Sequence, residues 1–173
     1  MTTDNDTFKI AEMDYAKLLE ETHSLMLATQ GESPTPEASY SPFLRDESGN
    51  FYVFVSEMAR HTQNLRTGHA ASIMVIEDEK TTQQLFARRR ATFTCKPEEI
   101  SRDSEECQLL LGQMRERHGE MIDTLANMGD FHMIKLVPSS GRVVLGFAAA
   151  YRVVGDNWDQ LTNRVAAGST GHR

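Results

Sequence analysis

Three consecutive arginines stand out in a sequence that is otherwise acidic. Arg88, Arg89 and Arg90 adjoin one another, although the chain of 173 residues has a formal net charge of -7. Side chains alternate between the two faces of a strand, so a strand here places Arg88 and Arg90 on one face and Arg89 on the other. Two guanidinium groups on one face suit a phosphate or a pair of carboxylates, because arginine forms bidentate hydrogen bonds with planar anions. A solvated charged edge is the other interpretation, above all for Arg89.

A second group of polar residues surrounds the start of a predicted short helix. Ser56, Arg60, His61 and Asn64 follow directly after an apolar strand. The free N–H groups and the dipole of a helix N-terminus favour a bound anion. These residues are therefore a candidate anion-binding site, although His61 could equally be an ordinary surface histidine.

Two further residues could act at a metal. His172 lies in the C-terminal sequence, where Gly168 and Gly171 give the backbone freedom to curl. Neutral imidazole is a common metal ligand, but a solvated terminal histidine is the simpler interpretation from the residues alone. Asp130 stands at the start of a predicted strand, where it either forms a turn or presents a carboxylate.

Several classes of function lack support in the sequence. The negative net charge and a pI near 5.4 disfavour nucleic acid as the main ligand. No histidine pair has zinc-site spacing, and the sequence has no nucleophile elbow, Walker loop or Rossmann glycine motif. The two cysteines are expected to be free thiols. Because the apolar runs are shorter than a membrane span and the first residues are polar, no membrane partner and a cytoplasmic location are expected.

Hydrophobic periodicity predicts many short strands and a few helices. Helices are predicted over residues 13–21, 58–66, 101–117, 120–128 and 158–165. Strands are predicted over residues 24–29, 37–43, 51–55, 70–77, 88–95, 131–137, 142–147 and 149–154. A hairpin turn is expected at residues 46–50. Ser56 is the expected N-cap of the second helix, and Pro97 the expected start of the long helical region.

These elements predict an α+β fold, in which an antiparallel barrel carries peripheral helices. Strands joined mostly by tight turns argue against a parallel sheet, which needs a helix after nearly every strand. No internal repeat or linker divides the sequence, so one domain is expected over residues 1–173. Within it, residues 1–12 are expected to be a short N-terminal segment and residues 166–173 a flexible tail.

Several segments in a fixed order resemble a known family. They are Glu37–Phe43, Phe51–Leu65, Ala71–Glu79, Ala87–Phe93, Gly129–Phe131 and Gly141–Phe147. Together they resemble the pyridoxamine 5'-phosphate oxidase-like split barrels, and within them the haem-utilisation (HutZ/HugZ) branch. The resemblance runs from about residue 13 to the C-terminus. It implies a six-stranded antiparallel split β-barrel that forms a homodimer, with two equivalent ligand clefts at the subunit interface.

The resemblance also implies roles for the candidate residues. His172 takes the place of the axial ligand of a haem iron. Asp130 takes the place of the carboxylate that accepts a hydrogen bond from the ligand imidazole of the other subunit. Arg88 and Arg90 are implied to line the cleft, where haem propionates would be their partners. The cleft is also implied to include the residues around the short helix, where flavin-binding relatives hold the FMN phosphate: Ser56, Arg60, His61 and Asn64.

Three functions stay open from this resemblance, because one fold hosts several chemistries. The first is haem binding with oxidative ring opening, in which an external electron donor supplies the reducing equivalents and iron is released. The second is a non-catalytic haem carrier or storage protein with the same iron ligand. The third is an FMN-dependent oxidoreductase on the same barrel.

Overall fold

The computed structural model describes residues 4–162. In chain order, the first half contains α1 (Asp4–Glu21), β1 (Ser24–Thr29), β2 (Glu37–Pro42), β3 (Leu44–Arg45), β4 (Phe51–Ser56), α2 (Arg60–Arg66) and β5 (Ala71–Ile76). A 3-10 turn (Leu85–Ala87) then leads to β6 (Arg90–Ile100), α3 (Glu105–His118), α4 (Met121–Asn127), β7 (Phe131–Gly146), β8 (Ala149–Val154) and β9 (Gln160–Thr162). The predicted bounds of β1 and β8 are confirmed, and the hairpin turn closes with Gly49 at a φ of 80°.

The strands form one antiparallel sheet. Its order is β2-β1-β5-β6-β7-β4-β3, and β8 and β9 extend it beyond β7. The α+β class is thereby confirmed. The sheet has nine strands within residues 4–162, and the predicted count of six is not confirmed.

The main core lies on one face of this sheet. Phe51 of β4, Ile73 of β5 and Phe93 of β6 are fully buried there, and the rings of Phe51 and Phe93 lie 5.1 Å apart. Helix α1 adds Tyr15 and Leu18 to the same cluster. The strands alternate buried and exposed positions, as in Ala71–Ile76, because successive side chains point to opposite faces.

A smaller core lies on the outer face of β3, β4 and the start of β7. Leu110 and Met114 of α3 and Ile122 of α4 pack there against Tyr52 and Met133. The helices therefore cover the outer face at one end of β7. None of the helices within residues 4–162 is both long and apolar enough to cross a membrane.

The expectation that Pro97 starts a helix is wrong. Pro97 is buried in β6 opposite Leu136 of β7, and α3 begins later with Ser104 as its N-cap. Beyond Cys95, β6 is paired only with β7 and not with β5. Proline is tolerated in a strand that is paired on one side, because a backbone nitrogen that faces the unpaired side needs no ladder partner.

The predicted break between two strands at residues 138–141 is also absent, since β7 runs through it. Gly141 is required for packing and not for a turn, because a Cβ at this position would lie 2.8 Å from the Phe93 ring. The register of β6 against β7 shifts between Thr94 and Cys95, as it does at a β-bulge. The helix predicted over residues 158–165 is wrong as well, because Gln160–Thr162 pairs with β8 as a strand.

Candidate functional site

Ser56 and Asp130 meet where β4 ends and β7 begins. The Ser56 hydroxyl donates a hydrogen bond of 2.7 Å to Asp130 Oδ2, and the backbone N–H of Glu57 donates one of 2.7 Å to the Asp130 carbonyl. Gly129, with a φ of 80°, turns the chain into β7 immediately before the carboxylate. Asp130 Oδ1 receives no hydrogen bond from any residue of the described part of the chain. The pair therefore presents a fixed carboxylate with one oxygen free to accept a hydrogen bond.

Ser56 is not the N-cap of α2, as the sequence had suggested. The helix begins at Arg60, its N-cap is Ala59, and no side chain caps its first turn. Ser56 is instead the last residue of β4, where its hydroxyl also accepts a hydrogen bond from the Met58 N–H. The hydroxyl therefore donates to Asp130 and accepts from the turn that leads to α2, and it does not cap the helix.

Arg60 and His61 open α2. The Arg60 guanidinium lies 3.6 Å from a carboxylate oxygen of Glu37 and is largely exposed. His61 is half-buried, and this burial lowers the pKa of its imidazole although Glu37 opposes the shift. His61 is thus held in its neutral form at neutral pH, as a metal ligand or hydrogen-bond acceptor has to be.

Asn64 lies in the last turn of α2 and not at its start. Its side-chain amide donates a hydrogen bond of 3.1 Å to the Thr29 hydroxyl at the end of β1. Gly31 packs so closely against Asn64 that a Cβ there would collide with the amide oxygen. This contact fixes α2 on β1 and directs the Asn64 side chain to that strand.

The three arginines do not alternate along one strand, because β6 begins only at Arg90. Arg88 donates two hydrogen bonds, of 2.8 and 2.5 Å, from its guanidinium to the Glu77 carbonyl, and it lies 3.6 Å from Glu79. Arg89 is ion-paired with the nearly buried carboxylate of Glu77, so it is not a solvated edge residue. Arg90 uses one guanidinium nitrogen on the Arg88 carbonyl, at 2.8 Å.

The cleft beside Arg88 is a poor place for an anion. It has a volume of about 370 Å³, and its lining includes the acidic residues Glu21, Glu77, Asp78 and Glu79 as well as Arg88. The carboxylates outnumber the single guanidinium, whose donors already have partners. Of the three arginines, Arg90 is the one for which the described residues provide no carboxylate partner.

Within one chain, the predicted site residues Ser56, Asp130 and Arg90 lie in two separate places. Ser56 and Asp130 stand at the start of β7, while Arg90 pairs with Val144 near the end of this 16-residue strand. His172 lies outside the described residues. Within one chain, the two groups therefore lie at opposite ends of β7.

A charged network that was not predicted from the sequence lies beside Asp130. Arg66 Nε lies 2.9 Å from Glu99, and its Nη1 lies 3.4 Å from Glu57. His132 Nδ1 lies 2.7 Å from Glu99, and its Nε2 lies 3.7 Å from Glu57. Arg66 belongs to α2, Glu99 to β6 and His132 to β7. Glu57 lies in the turn after β4, so only the tertiary arrangement of these segments brings the four residues together. The network ties the turn after Ser56 to the first residues of β7, directly after Asp130.

The described residues include no cluster of three or more histidine, cysteine or acidic side chains that could hold a metal ion. Cys95 and Cys107 are both free and buried, and burial raises the pKa of the Cys95 thiol to about 12. Neither thiol is a reactive thiolate at neutral pH.

Comparison with known proteins gives the fold a family. The family model described as pyridoxamine 5'-phosphate oxidase matches residues 12–145. The chain is 41% identical over 146 residues to "Heme oxygenase HutZ" of Vibrio cholerae, which covers 84% of this chain and 82% of that protein.

Solved structures agree with this relation. A crystal structure titled as HutZ, the heme storage protein from Vibrio cholerae, is 40% identical and has a TM-score of 0.71, covering 75% of this chain and 90% of that one. The crystal structure of Campylobacter jejuni ChuZ is 26% identical with a TM-score of 0.79, covering 90% of this chain and 62% of that one. The chain belongs to the pyridoxamine 5'-phosphate oxidase family, in the branch that contains HutZ.

Proposed function

We propose that this protein binds haem in a cleft between two copies of the chain and opens the haem ring oxidatively. The observation that carries the proposal is the 41% identity with a heme oxygenase across 84% of the chain. Haem binding follows from this relation, because relatives this similar usually keep their ligand. Ring opening is the further step that experiment has to test.

The residues around Asp130 fit a haem bound through a histidine. A ligand imidazole is a better electron donor when its second nitrogen donates to a carboxylate, and Asp130 Oδ1 is free for that bond. Ser56 holds the other oxygen at 2.7 Å and so fixes the direction of the carboxylate. We assign the iron ligand to His172. Bound haem would supply the iron at which dioxygen is activated, and its own ring would be the substrate.

A homodimer is part of the proposal. On the outer face of the sheet, Tyr40 is 56% and Met26 is 45% exposed, and the two are cross-strand partners. Met74 continues this row on β5. Burying the row against a second copy would remove apolar surface from water. It would also let the Asp130 end of one chain approach the Arg90 face of the other. An external electron donor and a cytoplasmic location complete the proposal.

Haem storage is the second candidate, because the crystal structure of HutZ is titled as that of a heme storage protein. A storage protein would use His172 and Asp130 in the same way but would leave the ring intact. FMN is the third candidate, favoured by the family model and by Arg60 and His61 at the start of α2. Against flavin phosphate, the Arg60 guanidinium already faces Glu37.

Titration with haemin, followed by absorbance, tests the proposal. The wild type is expected to give a saturable Soret band that His172→Ala weakens or shifts, and ascorbate with dioxygen should then bleach it toward a biliverdin-type product. His69→Ala is the matched control, because His69 is exposed and its Nδ1 makes only a long, 3.4 Å approach to the Gln30 carbonyl among the described residues. A His172-dependent band that does not bleach would establish storage. A protein that is yellow as purified and does not bind haemin would contradict the proposal and support FMN as the cofactor.

A further inference from the structure

The outer face of the sheet carries two arginines that face each other without any acidic partner. Arg142 of β7 and Arg152 of β8 are directly opposite in the ladder, and both are exposed. Like charges at directly opposite positions destabilise a sheet. Across residues 4–162, neither guanidinium has a hydrogen bond or an ion pair. A bound anion between the two guanidinium groups would remove this repulsion.

Arg90 belongs to the same patch. It pairs with Val144, so it is the diagonal neighbour of Arg142 across β6 and β7. Diagonal neighbours of this type lie about 7–8 Å apart, which long side chains can bridge. Arg90 donates one hydrogen bond to a backbone carbonyl and has no carboxylate partner within residues 4–162, so its charge adds to those of Arg142 and Arg152 on this face.

The cationic surface continues an apolar one along a single row of the sheet. In register across neighbouring strands, the row contains Tyr40, Met26, Met74, Thr92, Arg142 and Arg152. Since neighbouring strands lie about 4.8 Å apart, Met74 and Arg142 are separated by roughly 10 Å. The apolar half is the part of the row proposed to contact a second copy. The cationic half lies directly beside it, where a ligand held between the two copies would present its carboxylates.

We propose that Arg142 and Arg152, assisted by Arg90, bind the two propionate carboxylates of the haem. This assignment rests on the proposed function. It replaces Arg88 as a propionate partner, because the Arg88 guanidinium already donates to the Glu77 carbonyl and lies beside Glu79. Arginine is suited to this task, because its planar fork forms paired hydrogen bonds with a carboxylate.

Binding of haemin and of haemin dimethyl ester, which lacks the carboxylate charges, tests the assignment. Both titrations of the full chain can be followed by quenching of Trp158, the one tryptophan of the sequence. The wild type should prefer haemin to the ester. Each of Arg142→Gln and Arg152→Gln should lower haemin affinity by about tenfold, the loss expected for a charge-assisted hydrogen bond, and the double variant should lose the preference. Affinity for the ester should stay within about twofold in all variants, because the ester makes no charged contact.

Arg115→Gln is the matched control, since Arg115 is an exposed arginine that pairs with Asp123 on the helical side of the molecule. Without ligand, Arg142→Gln should unfold at a temperature no lower than the wild type, because it removes a like-charge pair. Equal losses of haemin and ester affinity, or an unchanged preference in the double variant, would overturn the assignment. A shift from dimer to monomer in sedimentation would overturn it in favour of a contact between copies. If the wild type and the variants all prefer haemin to the ester, the propionate subsite is rejected but haem binding is not. If the wild type binds neither compound, the haem function itself is rejected.

Discussion

The contact between Ser56 and Asp130 gives the site its most specific feature at the scale of single residues. A carboxylate that acts on a ligand imidazole has to keep its direction, and Ser56 supplies the hydrogen bond that fixes it. The sequence predicted both residues as site residues but in unrelated roles. It could not show that they touch, because the contact depends on the register of β4 and β7.

Removing the Ser56 hydroxyl should weaken haem ligation without unfolding the protein. Ser56→Ala is expected to lower haemin affinity by about tenfold, at the lower end of the effect of losing a partner around a metal ligand. The iron–histidine stretching frequency in resonance Raman spectra should fall, because the ligand imidazole loses electron donation. Ser56→Thr, which keeps the hydroxyl, should preserve both properties. An unchanged frequency in Ser56→Ala would show that Ser56 does not position Asp130.

His118 should make the stability of the protein sensitive to mildly acidic pH. Burial lowers the pKa of His118 below 6.5, although the hydrogen bond of 3.0 Å between its Nε2 and the Phe43 carbonyl acts in the other direction. The unfolded chain therefore takes up a proton near pH 6.5 while the folded protein does not. This contribution to stability is present above pH 6.5 and is lost as the pH falls through the pKa of the folded state.

Urea unfolding between pH 7.5 and 5 measures this contribution. The free energy of unfolding of the wild type should fall over that range more steeply than that of His118→Gln, which cannot titrate. His69→Gln should keep the slope of the wild type, since His69 is exposed. Parallel profiles for the wild type and His118→Gln would contradict the expectation.

At the scale of elements, the sequence predicted best where local pattern and packing agree. Strand β1 alternates buried and exposed side chains and was predicted at its full length, as was β8. Prediction failed where tertiary pairing overrides a local signal. Pro97 resembles a helix start, but the pairing of β6 with β7 keeps it in a strand. Gly141 resembles a turn residue, but the Phe93 ring needs the space of its missing side chain.

The stability of the segment before β6 should depend on the ion pair between Arg89 and Glu77. Glu77 is only 8% exposed. Burial alone would raise the pKa of its carboxyl, but hydrogen bonds from Thr82 and Arg89 together lower it. Arg89→Gln leaves this carboxylate without its cation and is expected to cost about 2–3 kcal/mol of stability, less than a fully buried pair because Arg89 is partly exposed.

Chemical denaturation at neutral pH measures that cost. Arg115→Gln, which breaks an exposed pair of 3.0 Å with Asp123, should cost no more than about 1 kcal/mol. The difference between the two variants should narrow as the pH falls through the folded pKa of Glu77, because a protonated carboxyl no longer needs its cation. Equal costs at neutral pH would show that Glu77 and Arg89 contribute no more than a surface pair.

At the scale of the whole molecule, the long strand β7 decides what one chain can do alone. It places the Asp130 end and the Arg90 end of the predicted site at opposite ends of 16 residues. Two shorter strands were predicted here, so the distance between the two groups of site residues could not be predicted from the sequence. The family resemblance, in contrast, implied a cleft shared between subunits, and the separation within one chain supports a proposal of that kind.

The central claim, a haem cleft built from two chains, can be tested most directly by mixing two defective chains. Asp130→Ala and His172→Ala are each expected to lower haemin affinity by about tenfold or more, because one removes the partner of the iron ligand and the other the ligand itself. After unfolding and refolding together, random pairing should make about half of the dimers mixed, and each mixed dimer contains one cleft with both native residues. The account predicts that about a quarter of all clefts regain wild-type affinity and the wild-type Soret band. If both residues belonged to the same chain, no cleft would be intact, and a mixture that binds haemin no better than the separate variants would contradict the account.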